Sequence, residues 1–368
     1  MELHFDPHRS LPLYGQIYEQ IRQGILQGRL PAGSRLPASR QLAEQHGLAR
    51  VTVTAAYDRL RAEGYVVSRT GAGTYVAEIS PADLRPVERA PSPPEIRLPL
   101  SQWGQRVVTY GADHVEQNDR TRVEIDFGFG RSFPHIFPYD VWRRLLARYL
   151  STDDAMLSRY GSAAGFEPLR RSVAGYLGRL RGVHCAVEQV VIVSGVQQAL
   201  DILARLLLNP SDEVLVETPG YADAFDLLRA QGACLTAVPV DEHGFPPERI
   251  PPDSRARLAF VTPSNQFPRG GTMPLARRLA LLEWAEAAGA MIIEDDYDSE
   301  LRYSGHPLAA LQGLDEGGRV IYLGTFSKVL FPALRLGYVV LPEPLLTPFL
   351  RAKGLMDRGA PTLMQAAV

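Results

Sequence analysis

The chain has 368 residues, more than one ordinary domain needs and a comfortable length for two. With 45% hydrophobic and 22% charged residues it has the balance of a soluble globular protein, and a formal net charge of −2 excludes a polycation. Any affinity for nucleic acid must therefore come from a local patch. Cys185 and Cys234 lack metal-type spacing, so no metal is expected, and they read as buried thiols in a reducing compartment. The start, Met1 to Asp6, has neither a basic segment nor an apolar run, and no apolar stretch elsewhere reaches membrane-spanning length. A cytoplasmic protein with no membrane partner is expected. Of the 39 basic residues only Lys328 and Lys353 are lysine. Arginine stays protonated and cannot form an imine, whereas lysine can, so a lysine kept in such a chain is a candidate for chemistry. Chance survival is the competing explanation, and for Lys353 it stays open.

In chain order, Leu13, Ile17, Ile21 and Ile25 recur every four residues, one face of a first helix. Leu30-Pro31-Ala32-Gly33 breaks the chain. A second helix is expected from Ser39 to His46, with Gly47 as its stop. A third is expected from Arg50 to Glu63, with Val53, Ala56, Tyr57 and Leu60 inward. Two β-runs, Tyr65–Ser68 and Thr74–Ala77, flank the hairpin tip Thr70-Gly71-Ala72-Gly73. Helix, helix, turn, helix and hairpin is the order of a winged helix-turn-helix, in which the first turn of the third helix meets base edges. Here that turn offers Arg50, Thr52 and Thr54. A small protein-binding or dimerising helical domain has the same elements, and charge alone does not separate the two.

Residues 79–120 carry Pro81, Pro86, Pro91, Pro93, Pro94 and Pro99 and read as a stiff, extended linker. Beyond it, strand-like runs at Val190–Val193, Glu213–Glu217, Leu258–Val261, Met291–Glu294 and Val320–Gly324 alternate with helical patterns. That alternation predicts an α/β domain over 121–368 with a mostly parallel sheet and helices on both faces. Ligands of such sheets sit beyond the C-terminal strand ends. Ser194-Gly195-Val196-Gln197 can present free N–H groups to a phosphate, although an ordinary strand-to-helix turn looks the same. Tyr221 can stack on a flat ring or fill a core. Asn265 can hydrogen-bond a ring hydroxyl. Glu294-Asp295-Asp296-Tyr297 reads as a solvated loop, a metal site, or a carboxylate for a ring nitrogen. Thr325-Phe326-Ser327-Lys328, followed by Arg335, joins an imine-forming amine to phosphate donors.

Two resemblances organise these fragments. Leu36-Pro37-Ala38-Ser39-Arg40-Gln41-Leu42-Ala43, Arg50-Val51-Thr52-Val53, Leu60-Arg61-Ala62-Glu63-Gly64-Tyr65 and Gly71-Ala72-Gly73-Thr74-Tyr75-Val76 resemble the GntR family of bacterial regulators. This implies a DNA-binding domain over 1–78, with Arg40, Arg50, Thr52, Thr54, Arg69 and Gly71 at the DNA. Ala49 departs from the family's usual Ser or Thr and gives up a helix cap. The segments after the five strands together resemble aminotransferase fold-type I enzymes, which use pyridoxal 5'-phosphate (PLP). By that resemblance Lys328 carries the imine, Asp295 pairs with the ring nitrogen, and Tyr297 and Asn265 reach the ring hydroxyl. Tyr221 stacks on the ring, while Val196, Gln197, Thr325, Ser327 and Arg335 surround the phosphate. Tyr160 reaches the phosphate of the partner subunit in a homodimer.

The order of the parts is similar to the MocR/PdxR/GabR group of transcription regulators. The resemblance implies a PLP-dependent regulator that binds double-stranded DNA and senses PLP or its aldimine with an amine or amino acid. An active aminotransferase with a DNA-binding head, and a DNA-binding protein whose large domain only dimerises, are the alternatives. The chain stops 40 residues after Lys328, and Met364 to Val368 read as an interrupted helix without a stop signal. A missing C-terminal part, and with it an incomplete amino-acid site, is expected.

Overall fold

A computed structural model describes residues 3–5, 11–69, 72–78, 99–110, 137–150, 158–301 and 308–368. The chain forms two compact units, Met1–Leu98 and Pro99–Val368.

In the smaller unit, α1 (Leu13–Leu26), α2 (Ser39–His46) and α3 (Arg50–Ala62) precede a hairpin of β1 (Val66–Arg69) and β2 (Gly73–Val76). Ile17, Ile21 and Ile25 of α1 meet Leu42 of α2 and Val53, Ala56 and Leu60 of α3 in one core. Burying each of these Ile, Leu and Val side chains contributes roughly 1.5–3 kcal/mol. α2 ends because Gly47 adopts φ +67, a conformation that costs a glycine nothing. The helices and the hairpin fall where the periodicity placed them, within a residue or two.

In the larger unit a seven-stranded sheet has the order β3-β9-β8-β7-β6-β4-β5. Its strands are β3 (Val190–Val193), β4 (Glu213–Thr218), β5 (Cys234–Pro239), β6 (Leu258–Val261), β7 (Met291–Asp296), β8 (Val320–Thr325) and β9 (Gly337–Val340). All neighbours pair in parallel except β9, which runs antiparallel to both β3 and β8. One sheet face packs α7 (Val196–Leu207), α8 (Ala222–Gln231) and α10 (Glu343–Asp357) through Leu200, Leu203, Leu228 and Phe349. The other packs α6 (Glu167–Arg181) and α9 (Leu275–Ala288) through Leu177 and Leu281. This is the layered α/β architecture with helices on both faces that the alternating pattern predicts.

Three local expectations need correction. Within the predicted linker, residues Gln102–Tyr110 form a helix, α4, lying along α8. The Arg106 guanidinium donates to Ala230 O at 2.8 Å and to Gln231 O at 3.4 Å, so it satisfies carbonyls that the end of α8 leaves open. The remainder of that linker, apart from residues 99–101, lies outside the described residues. Cys234 is exposed, because it starts β5 at the edge of the sheet; Cys185 is half-buried, and both thiols are free. β4, β7 and β8 run one or two residues further than the apolar runs, so Asp295, Asp296 and Thr325 sit inside strand ends. At the C-terminus, as an interrupted helix would, α11 (Thr362–Ala367) runs to the end of the chain, and it packs on α5 (Tyr139–Leu150) and α6. Gln365 is buried there and accepts the Phe166 N–H at 2.7 Å. Among the described residues no helix is long and apolar enough to cross a membrane.

Candidate functional site

The C-terminal ends of β3, β4, β7 and β8 surround a cavity of about 250 Å³. Its lining includes Gly195, Val196 and Gln197 from the β3–α7 turn, Tyr221 and Asp223 after β4, and Phe267 after β6. Asp295 and Tyr297 come from the end of β7, and Thr325, Ser327, Lys328 and Arg335 from β8 and the segment beyond it. Each side chain arrives because its strand ends at this rim.

The corner at the start of α7 is built from backbone. Gly195 has φ +82, and α7 begins on it without any side-chain cap, so the first N–H groups and the positive helix end face outward. A Cβ on Gly195 would stand 2.9 Å from Arg335 Nη2. Arg335 itself holds a left-handed conformation, φ 52, and donates to Ser194 O at 3.3 Å. Beyond the end of β8, Thr325 donates to Ser327 Oγ at 3.0 Å and accepts the Ser327 N–H at 3.1 Å.

At the end of β7, strand alternation sends successive acids to opposite faces of the sheet. Glu294 accepts the Leu311 and Gln312 N–H groups, and burial pushes it up to about 7. Asp296 is fixed by Arg181 Nε at 2.9 Å and by the Tyr322 hydroxyl. Asp295 points the other way, into the cavity. Burial, then the charges of Asp296 and Glu217, push it up to about 7, and its Oδ1 is buried without a hydrogen-bond partner. A buried orphan carboxylate oxygen is costly, and a cation in the cavity would relieve it. Lys328 Nζ stands 5.9 Å from the centre of the Tyr297 ring. The Phe267 ring meets Tyr221 edge-on at 6.0 Å and Tyr297 at 5.8 Å. Burial raises both tyrosine hydroxyls above their ordinary value. Gln197 donates to the Tyr221 hydroxyl at 3.4 Å, and that hydroxyl donates to Asp223 at 3.3 Å.

In the smaller unit, α3 starts at Arg50, which is exposed, as is Val51 at 74%. Thr52 is half-buried beside them, and the Thr54 hydroxyl donates back to Arg50 O at 3.0 Å. Arg40 is drawn along α2 to Glu44 at 2.9 Å. On the wing the Arg69 guanidinium lies 4.8 Å from the Tyr75 ring centre. Gly71 lies outside the described residues. As the sequence indicates, Ala49 precedes α3 in extended conformation and gives it no side-chain cap. Ala49→Ser should supply that cap and stabilise the start of α3 by about 1 kcal/mol. Amide hydrogen exchange in the first turn should slow about five-fold; unchanged protection would mean the serine does not cap.

Comparison with known proteins agrees with both units. Residues 13–76 match the family of bacterial regulatory proteins described as the gntR family, and residues 130–368 match aminotransferase class I and II. The chain is 42% identical over 368 residues to the "Probable rhizopine catabolism regulatory protein MocR" of Rhizobium meliloti, covering 99% of this chain and 72% of that protein. It belongs to the MocR/PdxR-type regulators of the GntR family. The chain is also 33% identical to the pyridoxine biosynthesis transcriptional regulator PdxR of Corynebacterium glutamicum, over 99% of this chain and 73% of that protein. Among solved structures, the kynurenine aminotransferase of Pyrococcus horikoshii, in complex with PMP, superposes with a TM-score of 0.62 at 30% identity, over 76% of this chain and 69% of that one. A MocR/PdxR-type regulator is a DNA-binding transcription regulator with an aminotransferase-like domain of the fold that PLP enzymes use.

Of the expected cofactor residues in this MocR/PdxR-type chain, Val196, Gln197, Tyr221, Asp295, Tyr297, Thr325, Ser327, Lys328 and Arg335 line one cavity. Two do not. Asn265 turns aside and donates to Asp298 Oδ2 at 2.6 Å. Tyr160 is 81% exposed, with the Arg358 guanidinium 5.5 Å from its ring centre. Phe267 and Asp223 were not expected at the site. Phe267 follows Asn265 by two residues, so its aromatic character in a strand-end segment was the available signal.

Proposed function

We propose that this regulator binds PLP in the cavity at Lys328 and that occupancy of the cavity, by PLP alone or with an amine or amino acid, changes its affinity for DNA. The observation that carries the reading is the convergence on one cavity of a lysine amine, an orphaned buried carboxylate and an uncapped helix N-terminus backed by arginine. These are the donors and acceptors that an aldehyde, a pyridinium and a phosphate require. When bound, PLP supplies an aldehyde for a primary amine and an electron-withdrawing ring. The chain does the rest. Lys328 presents the amine. Asp295 holds a negative charge where a ring nitrogen would be kept protonated. Gly195 to Gln197, Ser327 and Arg335 bind the phosphate, and Tyr221 and Tyr297 enclose the ring. Tyr160, exposed, is available to a partner subunit of a homodimer. Differential affinity for two arrangements of the reading units is what converts such binding into a switch.

Borohydride reduction of the PLP-loaded protein followed by peptide mapping tests the binding step. With only Lys328 and Lys353 in the chain, the map has few alternatives. A pyridoxyl adduct on Lys328 supports the reading, and no adduct there refutes it. Gly195→Ala should cost about 1–3 kcal/mol in PLP affinity, because the left-handed turn strains and the Cβ meets Arg335. PLP titration checks this, and unchanged affinity would place the phosphate elsewhere.

For the DNA step, Arg50, Thr52, Thr54, Arg40 and the wing residues Arg69 and Gly71 are the proposed contacts, with exposed Val51 available to a thymine methyl. Arg50→Ala should cost about 1–3 kcal/mol in DNA affinity. If Arg50 meets phosphate, the slope of log K against log salt should also shrink by about one. Binding isotherms at several salt concentrations decide it.

A further inference from the structure

Lys353, the second lysine of the chain, is fully buried in α10, which packs on α7. A buried ammonium needs a partner, and Asp357 supplies one: Lys353 Nζ donates to Oδ2 at 2.9 Å and to Oδ1 at 3.1 Å. The same carboxylate does more than neutralise the lysine. Its Oδ2 accepts from the Gln198 side-chain amide at 2.8 Å. The other end of that amide, Oε1, accepts the Ser194 N–H at 2.8 Å. Ser194 is the residue before Gly195, and its carbonyl is held from the other side by Arg335. Asp357 Oδ1 also accepts the Gly359 N–H at 2.8 Å. Gly359 packs so closely that a Cβ there would stand 3.1 Å from Ser162 O and 3.2 Å from Gly161 O, next to Tyr160.

We propose that the buried Lys353–Asp357 pair is a positioning device for the phosphate corner: through Gln198 it sets the Ser194–Gly195 turn in the shape that a phosphate ester requires. The inference rests on the reading that this corner takes the phosphate of PLP. Lys353 and Asp357 do not line the cavity and touch no ligand atom; they act through Gln198. Lysine suits the place because a compact ammonium on an apolar stem fills a site closed to water, where a planar guanidinium demands more partners. Asp357, held at once by Lys353, Gln198 and the Gly359 N–H, has little freedom to reorient, so the glutamine amide is locked in the direction that serves Ser194.

The test compares PLP with pyridoxal, which has the aldehyde and ring but no phosphate, on the full chain. In Lys353→Met/Asp357→Asn the pair is replaced by neutral groups of similar shape, and no unpartnered buried charge is left. In Gln198→Ala the pair stays intact and only the link is cut, so the second variant tests the proposal even if the first does not fold. Both should lose about ten-fold or more in PLP affinity while pyridoxal binding, followed by its absorption band, stays within about two-fold of wild type. Wild-type affinity for PLP in Gln198→Ala, or equal losses of PLP and pyridoxal in both variants, would overturn the positioning role. A wild-type protein that binds PLP no better than pyridoxal would instead overturn the phosphate reading of the corner, and this inference with it.

Discussion

Lys328→Ala should abolish the visible absorption band that PLP develops with this chain and leave no borohydride-stable adduct. The effect is expected to be complete, because among the described residues the cavity has no second lysine. Lys328 Nζ is at the cavity, beside the Tyr297 ring. Lys353 is sealed and ion-paired with Asp357. Arginine, which supplies nearly all the remaining basic residues, does not form imines under these conditions. Arg335, Ser327 and the Gly195 turn are untouched by the substitution, so PLP should still bind reversibly through its phosphate, with lower affinity. A band of wild-type intensity in Lys328→Ala would move the anchor elsewhere.

Asp295→Asn should have two opposed effects of comparable size. The unliganded protein should gain stability at pH 8, and PLP affinity should fall. Asp295 is held near 7 by burial and by the neighbouring charges of Asp296 and Glu217, against an ordinary 3.8. Between about pH 4 and 7 the unfolded chain has released this proton while the folded unit keeps it. The unfolded state then binds fewer protons, so stability falls as pH rises across that window, and the loss is complete above 7. Above 7 the folded unit carries a buried carboxylate with one unpartnered oxygen. Asparagine removes that charge, and about 1–3 kcal/mol should be regained. Glu217 and Glu294, also pushed up to about 7, act in the same direction and survive the substitution, so the pH slope should diminish without vanishing. The second effect follows from the same charge. A protonated ring nitrogen beside Asp295 offsets the cost of ionising it, and the amide cannot. Thermal unfolding from pH 5 to 8, with and without PLP, separates the two. An Asp295→Asn protein less stable than wild type at pH 8 would mean the carboxylate is satisfied in a way its geometry does not show.

The sequence was most legible where one residue type does one job. The four-residue spacing of Ile17, Ile21 and Ile25 located α1, and Gly47 located the end of α2, because burial and a positive φ leave direct marks. At the cavity, the segments after β3, β4, β7 and β8 could be found because parallel sheets gather ligands at strand ends. What stayed hidden depends on pairings distant in sequence. β9 is four residues long and lies between β3 and β8, so neither its length nor its neighbours identify it as a central strand. β5 is an edge strand that ends in proline, with mixed burial. α4 is helical against α8 despite the proline-rich region around it, because Arg106 reaches carbonyls more than a hundred residues away. Asn265 could not be placed from sequence, since its amide is taken by Asp298 across a gap of 33 residues.

The central claim is that the state of the Lys328 cavity is read out at DNA. The most direct measurement is the DNA affinity of the full chain without PLP, with PLP, and with PLP plus each member of an amine and amino-acid panel, at several salt concentrations. At least one of these additions should change the affinity or the protected DNA contacts of the wild-type protein, and in Lys328→Ala the same change should require a higher PLP concentration. Identical affinities and identical contacts in every condition would contradict the account.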